Sequence, residues 1–115
     1  MKMISKDELK FLLGSKGGYV LIDVRERDEL KYGMIPGAKN LPLSELKEAL
    51  GISKKDFEKK YGFAISKDER IIFYCRTGGR SAEATSLAES KGYQSENFKG
   101  SVKEWSEIDS NVKMY

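Results

Sequence analysis

Histidine is missing altogether from this 115-residue chain, and cysteine occurs once, at Cys75. Without imidazole, Ser-His-Asp and Cys-His catalysis are excluded, and so are the His-containing zinc sites. One thiol excludes an intrachain disulfide and an all-cysteine metal cluster, so no metal is expected. A chain of this size buries roughly two-thirds of its unfolded surface and needs neither device to fold. No apolar run approaches the ~18–20 residues of a membrane span. The net charge of +3 is too small for a dedicated phosphate-neutralising nucleic-acid binder. Lys54-Lys55 and Lys59-Lys60 alternate with Asp56 and Glu58, as on a solvated helix face. Met1 to Ser5 lead straight into a helix signal with no signal-peptide core. The lone thiol suits a reducing compartment; a cytoplasmic location is expected, with a mitochondrial one left open. At ~100–200 residues per domain, residues 1–115 should form a single domain.

What is present reads as alternating strands and helices. Ser5-Lys6-Asp7-Glu8 fits a capping box, with Ile4 and Leu9 placed as a hydrophobic staple. Leu9, Leu12 and Leu13 continue a short helical stripe that Gly14 and Gly17-Gly18 stop. Tyr19 to Val24 and Arg70 to Cys75 are apolar runs too short for helices and too continuous for half-exposed strands. They predict strands covered on both faces, hence a parallel sheet. Arg27 to Tyr32 predicts a short helix ended by Gly33, and Asn40-Leu41 a brief strand. Ser44 and Ser53 are candidate N-caps of two further helices. Ser81 to Lys91 predicts a helix with Ala84, Leu87 and Ala88 inward, followed by a short strand at Glu96 to Phe98. Ser101 to Glu104 has the pattern of a second capping box, opening a helix that Trp105 anchors to the core. The 51–69 segment suits either a pocket wall or a cover for the sheet. Asn111 to Tyr115 carries no helix or strand signal and is expected to fray. Strands and helices in alternation indicate an open α/β sheet with helices on both sides, its sites beyond the carboxyl ends of the strands.

Cys75-Arg76-Thr77-Gly78-Gly79-Arg80-Ser81 falls at such a place, between a buried strand and a helix N-terminus. A thiol is a useful nucleophile only as the thiolate, which a helix N-terminus and nearby arginines favour. Gly78 and Gly79 can adopt backbone angles closed to other residues, turning successive N–H groups inward as an anion nest. Arg76 and Arg80 offer guanidinium forks to a multi-oxygen anion. The loop therefore predicts a cradle holding a dianion against a reactive sulfur. An inert core thiol is the competing reading of Cys75, but it leaves the paired glycines and flanking arginines without a role.

This loop resembles the active-site loop of the rhodanese-like sulfurtransferases, whose first cysteine carries a persulfide. Leu21 to Glu26 is similar to that family's first motif. Gly33 to Pro42 resembles its Gly-His-Ile-Pro-Gly-Ala segment, and Gly100-Ser101 followed by Trp105 its closing Gly-Gly and Trp motif. Phe57 to Phe63 looks like the small single-domain sulfurtransferases of eukaryotes. Met34 stands where the family often has histidine and Ser101 replaces the second closing glycine, departures that bear on substrate preference and loop packing. The resemblance implies a rhodanese-like open, mainly parallel sheet flanked by helices on both faces.

It also implies a reaction without a cofactor: Cys75 takes a sulfur from a small anionic donor such as thiosulfate and passes it to cyanide, glutathione or another thiol, with an acceptor protein also compatible. Arg76, Thr77, Gly78, Gly79, Arg80 and Ser81 would bind the donor, Arg80 and the loop amides stabilising the dianion and Arg76 attracting it or lining the pocket mouth. Asp23 and Arg25 read as supports that orient neighbouring loops, a direct substrate contact by Arg25 being the alternative. Two other functions share these residues. A non-enzymatic sulfur carrier or protein-binding module would keep the fold without turnover. A phosphatase or arsenate reductase would use a similar loop, but those loops resemble Cys and Arg separated by five residues, whereas four separate Cys75 from Arg80.

Overall fold

Tyr19–Asp23 (β2) and Arg70–Tyr74 (β4) lie side by side at the centre of the sheet, with Leu21 opposite Ile72 and Asp23 opposite Tyr74. The computed structural model describes residues 1–115. The remaining strands are Lys2–Met3 (β1), Lys39–Asn40 (β3) and Gln94–Asn97 (β5), in the order β1-β5-β4-β2-β3 with every pairing parallel. Helices fill the connections: Lys6–Leu13 (α1), Leu43–Ala49 (α2), Lys54–Tyr61 (α3), Gly79–Ser90 (α4) and Ser101–Trp105 (α5). Arg27–Tyr32 forms a 3-10 helix.

Alternate side chains of a strand face opposite ways, so each central strand feeds two cores. Ile22, Val24, Ile71, Phe73 and Cys75 pack with Leu46, Ala49, Phe57, Ala84 and Ala88 of α2, α3 and α4. Leu21, Ile72 and Tyr74 face the other way, toward Ile4, Leu9, Phe98, Val102, Trp105 and Val112. Each large apolar side chain fully buried this way contributes about 1.5–3 kcal/mol. Both faces being covered explains why these strands read as unbroken apolar runs. Trp105 sits against the ring of Phe98 at 6.2 Å, edge to face, within the second core. Phe57, on α3, and Ile65 are buried in the first core with Ile22, Ile71 and Phe73, so the 51–69 segment covers the sheet. No helix is long and apolar enough to cross a membrane.

The Ser5 capping box forms in full, Ser5 Oγ accepting from Glu8 N–H and Glu8 accepting from Ser5 N–H. Ser53 also caps, accepting from Asp56 N–H at 3.1 Å. Ser44 does not. α2 begins two residues earlier, at Leu43 with Pro42 at its N-cap, and the Ser44 hydroxyl donates instead to Glu26. The segment 111–115 is tied down rather than frayed: Val112 is buried, and Lys113 N–H donates to Tyr32 C=O at 2.8 Å.

Candidate functional site

β2 and β4 are neighbours whose outgoing chains part, one toward β3 and the other through α4 toward β5. Such a divergence opens a crevice beyond the carboxyl ends of the strands. Cys75 directly follows β4 and is 1% exposed. Gly78 turns the chain at φ 100°, ψ −10°, and α4 begins at the next residue. The turn aims the Gly78 N–H at Cys75 Sγ from 3.1 Å, and the Ser81 N–H reaches it from 3.4 Å. The Ser81 hydroxyl lies 3.4 Å from the same sulfur, placed to accept from the thiol or to donate to the thiolate. Gly79 has no positive φ, so one glycine of the pair does the turning.

Burial is the largest single influence on the Cys75 thiol and pushes its pKa up. The hydrogen bonds from Ser81, Gly78 and Thr77 together outweigh it, and the net shift is downward. The sign has two consequences. The thiolate is populated below the ordinary thiol range. It also adds to stability above that range, a contribution lost as pH falls through the depressed value. Ser81→Ala removes the hydroxyl and keeps the amides, so Cys75 should ionise at a higher pH than in the wild type. Its alkylation by iodoacetamide at neutral pH should slow by about two- to fivefold; an unchanged pH profile would show that the hydroxyl does not serve the thiolate.

Arg80 does not stand free beside the cup. Its guanidinium grips Glu29 through two bonds, of 2.5 and 2.9 Å. Glu29 also accepts from Glu26 N–H and from the Tyr115 hydroxyl at 2.6 Å. Its pKa falls to about 2, chiefly through Arg80, although burial acts in the opposite direction. Arg76 has no carboxylate partner; its Nε is buried without a hydrogen bond, and its guanidinium lies over the Tyr115 ring at 4.9 Å. Thr77 is exposed and borders an open cleft of about 610 Å³ that it shares with Lys6, Lys99, Lys103 and Glu104.

Asp23 and Arg25 are fully buried and paired, with Nη2–Oδ2 2.7 Å and Nε–Oδ1 3.0 Å. The Arg25 guanidinium also donates to Gly33 C=O at 2.7 Å and to the Tyr115 hydroxyl at 3.3 Å. Its charge is thus spent on the loop after β2 rather than presented to the crevice.

Ser101 is no cap. It opens α5 at φ 52°, a left-handed conformation that costs an L-residue about 1–2 kcal/mol. Its hydroxyl accepts from Cys75 N–H at 3.1 Å and donates to Phe98 C=O at 2.9 Å. Two buried hydrogen bonds of about 0.5–1.5 kcal/mol each offset that strain, so serine can stand where glycine fits more easily. Glu29, Tyr115 and Ser101 are the members of this site that sequence reasoning missed. Only Ser101 left a signal, as the odd residue of the closing motif.

Comparison with known proteins agrees with this geometry. Residues 5–108 match the rhodanese-like domain family. The human thiosulfate:glutathione sulfurtransferase is 43% identical over 110 residues, covering 93% of this chain and 95% of the relative. The yeast Saccharomyces cerevisiae enzyme of the same name is 33% identical over 88% of this chain and 75% of its own length. The structure of the human single-domain sulfurtransferase TSTD1 superposes with a TM-score of 0.88 at 39% identity, over 95% of this chain and 98% of that one. The S. cerevisiae single-domain sulfurtransferase RDL2 gives 0.84 at 33% identity, over 97% and 94%. A parallel sheet in this order, a cysteine cupped where β4 hands over to α4, and matches along nearly the whole chain have one explanation: this chain belongs to the rhodanese-like domain family.

Proposed function

We propose that this chain is a thiosulfate sulfurtransferase that works through a Cys75 persulfide and delivers the sulfur to glutathione, cyanide or another thiol, an acceptor protein included. The observation that carries the reading is the position of Cys75 Sγ, held by the inward-pointing amides of Gly78 and Ser81. The names of the human and yeast relatives support the same donor and acceptor. The Cys75 thiolate attacks the outer sulfur of thiosulfate; a new S–S bond forms, the old one breaks, and sulfite leaves with its electron pair. Charge balances and no proton moves, so the lack of histidine is no obstacle. The acceptor's thiolate, or cyanide, then takes the terminal sulfur and regenerates the Cys75 thiolate, a two-step exchange with a covalent intermediate.

The amides that stabilise the thiolate are already oriented when negative charge reaches the persulfide, so none has to reorganise during the reaction. Arg76 is the group we assign to the donor anion. Arg25, Arg27, Arg70 and Arg80 are each neutralised by a carboxylate, whereas Arg76 has charge and N–H groups to spare next to the nucleophile. A reducing compartment, cytoplasmic or mitochondrial, suits chemistry that starts from a free thiol.

Mass spectrometry tests the reading. After mixing with thiosulfate, the wild type should gain one sulfur atom and Cys75→Ser none. Cyanide should then release that sulfur as thiocyanate, and glutathione should discharge the protein with ping-pong kinetics. A wild-type protein that remains unmodified would favour a binding module instead.

A further inference from the structure

We propose that Tyr115 is a positioning residue for the sulfur-donor site: its ring holds the Arg76 guanidinium in place for the donor anion, while its hydroxyl fixes the Glu29 carboxylate that restrains Arg80. The proposal rests on the sulfurtransferase reading and adds a residue that no part of the loop motif contains.

The Tyr115 ring stacks on Tyr32 at 4.0 Å with 7° between the planes, which fills one of its faces. Arg76 lies over the ring at 4.9 Å, nearer than Arg25, which lies at 5.7 Å and donates to the hydroxyl. A guanidinium held by an aromatic face keeps its charge and its N–H groups available, which a carboxylate partner would not allow. The buried, unbonded Nε of Arg76 shows that this capacity is unused. Across the same ring, the hydroxyl donates to Glu29 Oε2 at 2.6 Å and accepts from Arg25 Nη1 at 3.3 Å. Glu29 in turn holds both terminal nitrogens of Arg80. One side chain thus sorts the two loop arginines: Arg80 is neutralised and Arg76 is left open to an anion. Tyr115 touches neither Sγ nor the sulfur in transit, so its effect belongs in donor binding rather than in the chemical step.

Steady-state kinetics with thiosulfate and cyanide test this through a double-mutant cycle. Tyr115→Leu should raise KM for thiosulfate by about three- to tenfold with kcat within about twofold of wild type. Tyr115→Phe restores the ring and should recover most of that KM. Arg76→Gln should raise KM by itself, and adding Tyr115→Leu to it should change little more, because the guanidinium that the ring positions for the donor is then already gone. Multiplying losses in the double variant would overturn the proposal, as would Tyr115→Phe performing no better than Tyr115→Leu. The sulfurtransferase reading fails separately: a wild type that takes up no sulfur by mass overturns it, and this inference with it.

Discussion

Asp23→Ala should cost about 3–5 kcal/mol of stability, because it strands a guanidinium in the interior. Asp23 and Arg25 both have no exposed side-chain surface, and the Asp23 carboxylate accepts four hydrogen bonds from Arg25, three from its guanidinium and one from its backbone N–H. Removing the carboxylate leaves Arg25 with carbonyl and phenol oxygens that carry no charge. Against a typical total of ~5–15 kcal/mol, that loss is a large share of the margin of a small domain. The thermal midpoint should fall by roughly 12–20 °C. The double variant Asp23→Ala/Arg25→Met should regain a good part of it, since it removes both charges and refills the volume. Circular dichroism melts of the three proteins decide the matter. A single variant melting within a few degrees of wild type would show that Arg25 finds solvent or another anion, and the pair would then not be what shapes the loop after β2.

The two central strands were readable because double-sided burial leaves a local mark, an apolar run without alternation. β1 left none: Lys2 and Met3 are exposed, and only backbone pairing with Glu96 and Asn97 makes them a strand. β5 spans Gln94–Asn97 where the sequence pattern predicts Glu96 to Phe98, for a related reason. Its Ser95 and Glu96 are buried polar residues whose partners are remote in sequence, Thr85 C=O at 2.8 Å and the Arg70 guanidinium at 2.7 Å. The cup around Cys75 was legible because the groups nearest the sulfur, on Gly78 and Ser81, lie within six residues of it; the Ser101 hydroxyl, 3.9 Å from Sγ and 26 residues away, was not. Restraint of the arginines was not. Glu29 reaches Arg80 across 51 residues and Tyr115 reaches Glu29 across 86, and neither span leaves a periodicity or spacing in the chain. The sequence alone also makes Arg76 and Arg80 equivalent forks; the fold distinguishes them by giving a carboxylate to one and an aromatic face to the other.

The same distinction separates Gly78 from Gly79, adjacent and identical in sequence. A Cβ on Gly78 would lie 2.4 Å from the Lys99 carbonyl oxygen and 3.2 Å from its carbon, with φ at +100° adding strain of its own. That backbone cannot readily give way, since Val102 N–H and Lys103 N–H donate to Cys75 C=O and Arg76 C=O at 3.0 Å, and Ser101 Oγ holds Cys75 N–H. The loop must move instead, and the Gly78 N–H leaves Sγ. Gly78→Ala should therefore move the Cys75 thiol upward in pH and lower kcat/KM for thiosulfate by about 10²–10³, the usual cost of losing one preorganised donor. Gly79→Ala meets open space at an ordinary φ and should stay within about threefold of wild type. Both variants can be followed by thiocyanate formation and by the pH dependence of alkylation. Equal damage from the two substitutions would mean that the loop tolerates no side chain at either glycine, and an unaffected Gly78→Ala would remove the amide cup as the source of the thiolate.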